Sequence, residues 1–305
     1  MVKNNFKDGP MCAKLRDIKN PPKGKKNERV KTGIPGFDTL LGKGIPKGSS
    51  TIVAGGPGCG KTVFCLQTLY NMSRTGAQTV YISLEESPER LQSHMEEFGF
   101  DFQVEKCEED CIVLKTGTGK MAIRRLEPIV MARAVEALLE KSSGTLPKGF
   151  EAKFDLIPKG FEPSAIAWDS ISAMETAFSG ESRQYRIYIE QLFRHFERID
   201  ATSFLITETV EAPTRFSKTG VEEFLADGII ALYSFRQGLR KQRAIEIVKM
   251  RGVGHSPEIV PMDITANGLT IHSEPRLTVS PLSKIAKREA LRVKLSEIKP
   301  FQEST

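Results

Sequence analysis

The octet Gly55-Gly56-Pro57-Gly58-Cys59-Gly60-Lys61-Thr62 fits G-x-x-x-x-G-K-[ST], and nothing else in the chain restricts its fold as tightly. Glycines let the backbone curl around an anion with its N–H groups turned inward. In that arrangement Lys61 places a charge on the β- and γ-phosphates, and the Thr62 hydroxyl holds Mg²⁺. Residues 50–54 read as a buried strand entering the loop, and residues 63–70 as the helix leaving it. A nucleoside triphosphate is the expected ligand, with Gly56, Pro57, Gly58, Cys59, Gly60, Lys61 and Thr62 as its contacts. The plain alternative is a glycine turn between strand and helix.

Strands and amphipathic helices alternate from about residue 30 to 272. Strands are expected at 79–84, 165–169, 203–207, 228–233 and 244–250, with short ones near Ile259 and Ile271. Helices are expected at 88–98, 127–141 and 184–199. Such alternation predicts an α/β fold with a mostly parallel central sheet flanked by helices and the ligand at the strand ends. The closely spaced last strands predict antiparallel pairing at the C-terminal edge.

Composition agrees with a globular protein: 39% of residues are hydrophobic and 27% charged. No apolar run of membrane-spanning length and no apolar leader occurs, so a cytoplasmic location without a membrane partner is expected. The net charge of +6 resides in the ends. Residues 1–30 hold nine Lys or Arg against three Asp or Glu, and residues 273–305 hold seven against four. Residues 1–29 read as a disordered basic tail, and 273–305 as a basic tail with a helix over 284–298. These tails are surfaces for a protein partner or nucleic acid, or simply solvating ends. Pro147-Lys148-Gly149-Phe150 recurs as Pro158-Lys159-Gly160-Phe161, consistent with a hairpin. Cys107 and Cys111 lack a second ligand pair, and His94, His195 and His272 show no metal spacing.

Hydrolysis needs more than a phosphate loop: a metal carboxylate, a group to orient water, and cations for the γ-phosphate. Asp169 ends an apolar strand, which would place it at the mouth of the sheet as a Mg²⁺-shell acid or as an ordinary strand-ending turn. Glu85 and Glu86 follow another strand into the same mouth. One of them could take a proton from water, its pKa raised by the neighbouring acid; an acidic first helical turn is the alternative. Lys249 and Arg251 share a strand face. Beside Gly252 they could reach a phosphate, or form a solvated basic edge.

The run Thr32–Ser49 before the P-loop resembles the entry to KaiC-type domains of the RecA superfamily. So do Leu84-Glu85-Glu86-Ser87-Pro88, Trp168-Asp169-Ser170, Gly220-Val221-Glu222-Glu223-Phe224 and Lys249-Met250-Arg251-Gly252-Val253-Gly254-His255, in the family's order over about residues 30–272. The chain has one P-loop, so the resemblance is to the single-domain archaeal type. It implies an ATPase with Mg²⁺, with Glu85 and Glu86 as catalytic acids and Lys249 and Arg251 reaching the γ-phosphate of a neighbouring subunit. It also places His255 near that neighbour's nucleotide and implies a homohexameric ring. Regulatory or signalling output is the leading expectation.

A RecA-like ATPase acting on single-stranded DNA is an alternative. The loops that would touch DNA are roughly neutral, with Arg215 and Lys218 beside Glu211, and Arg183 beside Glu175 and Glu181. A scaffold glued by ATP is a third reading. Autokinase activity has only Ser170, Ser172 and Thr176 to point to.

Overall fold

The computed structural model describes residues 28–273 except 43, 109, 131–155, 178–181, 210–214, 218 and 238. Both tails, most of the helix expected over 127–141 and the first Pro-Lys-Gly-Phe copy lie outside the described residues. The second copy is a turn closed by Phe161 N–H donating to Pro158 O at 3.1 Å.

Eleven strands form one sheet in the order β13-β12-β11-β10-β3-β9-β8-β4-β7-β6-β5. Its middle is parallel: β10 (Gly228–Gln237), β3 (Ser50–Gly55), β9 (Thr202–Glu208), β8 (Ala165–Asp169), β4 (Gln78–Ser83) and β7 (Gly119–Arg125). Every residue of β3 is buried, as expected of a central strand covered on both faces. Alternate residues divide between two cores. Val53 joins the one under α2 (Lys61–Arg74), where Phe64 packs edge-on to Phe37 at 5.1 Å and to Phe204 at 6.4 Å. Ile52 and Ala54 join the other, where Trp168 meets Phe196 of α5 (Ser182–Arg198) at 6.3 Å. The earlier short helices are α1 (Phe37–Leu40) and α3 (Pro88–Glu97); α4 (Ile171–Ala177) precedes α5, and α6 (Val221–Leu225) follows it.

Antiparallel strands β11 (Arg240–Met250), β12 (Val260–Thr265) and β13 (Gly268–Ile271) complete the C-terminal edge, as expected. A second antiparallel pair, β5 (Gln103–Glu108) and β6 (Cys111–Thr116), extends the opposite edge beyond β7 and was not foreseen. The β6–β7 turn explains Gly117-Thr118-Gly119-Lys120, a stretch that only partly resembles a phosphate loop. Gly117 has φ 56°, and a Cβ on Gly119 would lie 2.3 Å from the Ser73 and Ala77 carbonyl oxygens. The glycines let the hairpin press against the end of α2. A two-stranded ribbon, β1 (Arg29–Val30) with β2 (Ile45–Pro46), opens the domain. Between its strands Asp38 accepts from Thr32 N (2.9 Å), Thr32 Oγ1 (3.0 Å) and Gly33 N (3.0 Å), which pins the entry turn.

Edge strand β13 is closed by a side chain. Gln67 of α2 donates to Leu269 O (3.2 Å) and accepts from Leu269 N (2.7 Å), both in buried surroundings. Replacing Gln67 by Ala leaves a buried donor and acceptor unpaired, at about 1–3 kcal/mol for such a loss. A urea melt checks this: the midpoint should fall with the slope unchanged, and an unmoved midpoint would show that water replaces the amide at no cost. Among the described residues no helix is long and apolar enough to cross a membrane.

Candidate active site

The phosphate loop leaves the C-terminal end of β3 and enters α2. Gly60 caps α2 with φ 107° and no side-chain cap bond, so the first-turn N–H groups are left for an anion. At Gly55 a Cβ would stand 2.5 Å from Cys59 Sγ and from Leu232 O. The cradle therefore closes only around glycine. Lys61 Nζ is turned back onto its own loop, donating to Gly55 O at 2.9 Å and Gly56 O at 3.0 Å. Burial pushes the Cys59 thiol up, against the pull of Lys61, so it behaves as packing within the loop.

Thr62 Oγ1 donates to Asp169 Oδ2 at 3.0 Å. Asp169 closes β8, one strand away from β9 and two from β3. Tyr81 of β4 donates its hydroxyl to the same Oδ2 at 2.5 Å. Burial raises the Asp169 carboxyl above its usual range, while the Tyr81 and Thr62 hydrogen bonds pull it back. A hydroxyl and a carboxylate side by side form the hard oxygen set that Mg²⁺ takes beside phosphate. The glycine cradle and this pair thus fit ATP with Mg²⁺.

Glu85 and Glu86 follow β4 into the same mouth, and the Ser83 hydroxyl accepts from both backbone N–H groups, at 3.4 and 2.9 Å. Their carboxylates then diverge. Glu85 is exposed and accepts from Ser170 Oγ at 3.1 Å, beside Asp169. Glu86 turns to α3, with Oε2 at 3.1 Å from Arg90 Nε and 3.9 Å from His94 Nδ1.

Lys249 and Arg251 stand elsewhere. Met250 pairs with Gly228, which pairs with Thr51 at the start of β3, whereas the loop departs from Gly55. Four residues of strand separate the two ends, about 13 Å at ~3.3 Å per residue. Both cations bind the segment around α6. Lys249 donates to Glu223 O (2.9 Å) and Ala226 O (2.7 Å), and Arg251 to Phe224 O (2.9 Å), with Asp227 at 3.4 Å. Burial lowers the Lys249 ammonium pKa, and Arg251 adds to that. A groove of ≈ 460 Å³ opens there, lined in part by Glu190, Arg194, Asp227 and Arg251. His255 lies just beyond, its Nδ1 3.0 Å from Ser256 O. The short reach to a phosphate that spacing suggested does not exist within one subunit, because β11 runs antiparallel to β3 and carries its end to the opposite side of the sheet.

Two residues at the loop escaped the sequence reading. Arg243 Nε donates to Gly58 O at 3.2 Å from the β10–β11 hairpin. The available signal was the cationic set Arg236, Arg240, Lys241 and Arg243 without an acid among them, but only the strand register brings it to the loop. Tyr81 reads as core from its apolar neighbours, and nothing in the pattern says that its hydroxyl meets Asp169.

Fold and site together define a P-loop ATPase domain of the RecA type. A family model described as "ATPase: KaiC" matches residues 30–276, and the chain belongs to the KaiC family. It is 30% identical over 259 residues to the circadian clock protein KaiC3 of Synechocystis, covering 85% of this chain and 46% of that relative. A UPF0273 protein of Pyrococcus furiosus is 30% identical over 251 residues, with 81% and 94% covered. The chain thus spans about half the length of the clock relatives and nearly all of the UPF0273 type. A crystal structure of a KaiC-like protein from Pyrococcus horikoshii superimposes with a TM-score of 0.60 at 27% identity, covering 80% of this chain and 99% of that one.

Proposed function

We propose that the protein is a ring-forming ATPase, a homohexamer of regulatory or signalling output, whose active sites are each completed by a neighbouring subunit. One observation carries this reading: the phosphate loop and the Lys249/Arg251 pair occupy opposite ends of one sheet. A subunit that offers a loop at one end and cations at the other is built for head-to-tail contact. Such contacts close into a ring when the rotation allows.

Within the completed site the loop amides bind the phosphates, and Lys61 exchanges its two loop carbonyls for phosphate oxygens. Thr62 and Asp169 hold Mg²⁺, which neutralises charge on the β- and γ-phosphate oxygens. Glu85, exposed beside Ser170, takes a proton from the attacking water. The water oxygen bonds to the γ-phosphorus as the β–γ bridging bond breaks and ADP leaves. Arg243 adds a cation from the same chain. Lys249 and Arg251 of the neighbour supply charge on the γ-phosphate, where developing negative charge is best stabilised by fixed donors.

Size-exclusion chromatography with light scattering tests the assembly. Addition of ATP with Mg²⁺ should yield a mass near six protomers. A monomer turning over ATP at full speed, indifferent to dilution, would refute inter-subunit sites.

A further inference from the structure

Tyr81 has no part in the chemistry above, yet its hydroxyl lies at the metal site. The side chain is fully buried on β4 among apolar neighbours. A phenol hydroxyl in such surroundings needs a partner, and it takes Asp169 Oδ2 at 2.5 Å. Thr62 Oγ1 donates to the same oxygen at 3.0 Å. A carboxylate oxygen has room for two donors. With both on Oδ2, rotation of the carboxylate about its Cβ–Cγ bond is blocked from two directions. The backbone adds a third restraint, Leu84 N–H donating to Asp169 O at 2.7 Å. Two of the three restraints on Asp169 therefore come from the β4 chain, which also delivers Glu85.

We propose that Tyr81 is a positioning residue for Mg²⁺: by holding Asp169 Oδ2 it keeps the Thr62 hydroxyl proton on that carboxylate and the Thr62 lone pairs on the metal. The inference rests on the metal-site reading above and deepens it. A hydroxyl that ligates a cation must present oxygen and send its hydrogen elsewhere. Asp169 accepts that hydrogen only in one rotation. With Tyr81 absent the carboxylate is freer to turn, Thr62 loses its fixed acceptor, and the metal loses a well-directed ligand. Groups that orient metal ligands without touching the metal commonly change metal affinity by roughly 10–100-fold when removed.

The test is Tyr81→Phe beside Asp169→Asn, with fluorescent ATP binding measured in EDTA and across a Mg²⁺ titration. In EDTA, Tyr81→Phe should bind nucleotide as the parent does. Its Mg²⁺ midpoint should rise on the order of 10-fold, and Mn²⁺ bound in place of Mg²⁺ should show a broadened electron paramagnetic resonance spectrum. An unchanged midpoint and spectrum in Tyr81→Phe, with Asp169→Asn impaired, overturns the role of Tyr81 alone. An Asp169→Asn protein with the parent's Mg²⁺ dependence overturns the metal site itself. Should Tyr81→Phe fail to bind nucleotide even in EDTA, 3-fluorotyrosine at position 81 retains ring and hydroxyl. Its ¹⁹F resonance should then move when Mg²⁺ joins the nucleotide-bound protein, and a resonance indifferent to Mg²⁺ overturns the proposal.

Discussion

Rings of Arg251→Ala should bind ATP yet turn it over about 10³–10⁵-fold more slowly, the range for loss of an arginine supplied to a phosphoryl transition state. Mixing this variant with Glu85→Gln, itself impaired, should restore hydrolysis. In a mixed ring some interfaces join an intact Glu85 on one subunit to an intact Arg251 on the next. With random assembly at equal concentrations, about one interface in four is complete, so recovery should approach a quarter of parental turnover. The argument needs only the sheet register. Arg251 N–H is held by Asp227 O, at the starting end of β10, and the guanidinium rests on Phe224 O. It stays at the far end from its own Gly55-to-Thr62 loop. Ring formation by the mixture without recovered turnover would show that Arg251 is not lent across the interface.

The second large effect separates two adjacent acids. Glu85→Gln should slow hydrolysis by about 10²–10⁴-fold, the usual contribution of a placed general base, with ATP affinity retained. Glu86→Gln should cost less than about tenfold, since that carboxylate is engaged by Arg90 at 3.1 Å and faces α3. Single-turnover measurements on saturated rings distinguish the two residues cleanly. Equal losses, or a larger loss at Glu86, would overturn the assignment of the proton acceptor to Glu85.

Much of this was legible in residues alone. Strand 50–54, the glycine octet and the following helix form a local unit whose periodicity and turn chemistry agree, and β3, the loop and α2 stand where that pattern puts them. Asp169 ends β8 as expected, because an apolar run followed by a carboxylate has few other ways to sit in a parallel sheet. What escaped was register and direction. Residues 103–125 alternate weakly and carry charges on both faces, so β5 and β6 left little periodic trace. Their pairing follows from tight turns and from the fit of Gly119 against α2. Lys249 and Arg251 could be assigned to a strand end, but which end of the sheet this was depended on β11 reversing after the hairpin. The same reversal carries Arg243 to the loop. The family resemblance supplied the neighbour's role for Lys249 and Arg251; spacing alone left it open.

The amide of Gln67 has a mechanical consequence. It sits six residues into the helix that begins at Lys61 and grips both backbone groups of Leu269. Any tilt of that helix as its first turn closes on an anion is shared by the last strand of the sheet, through a two-point tether rather than through loose packing. The polypeptide beyond residue 273 thus departs from a strand anchored to the phosphate-gripping helix.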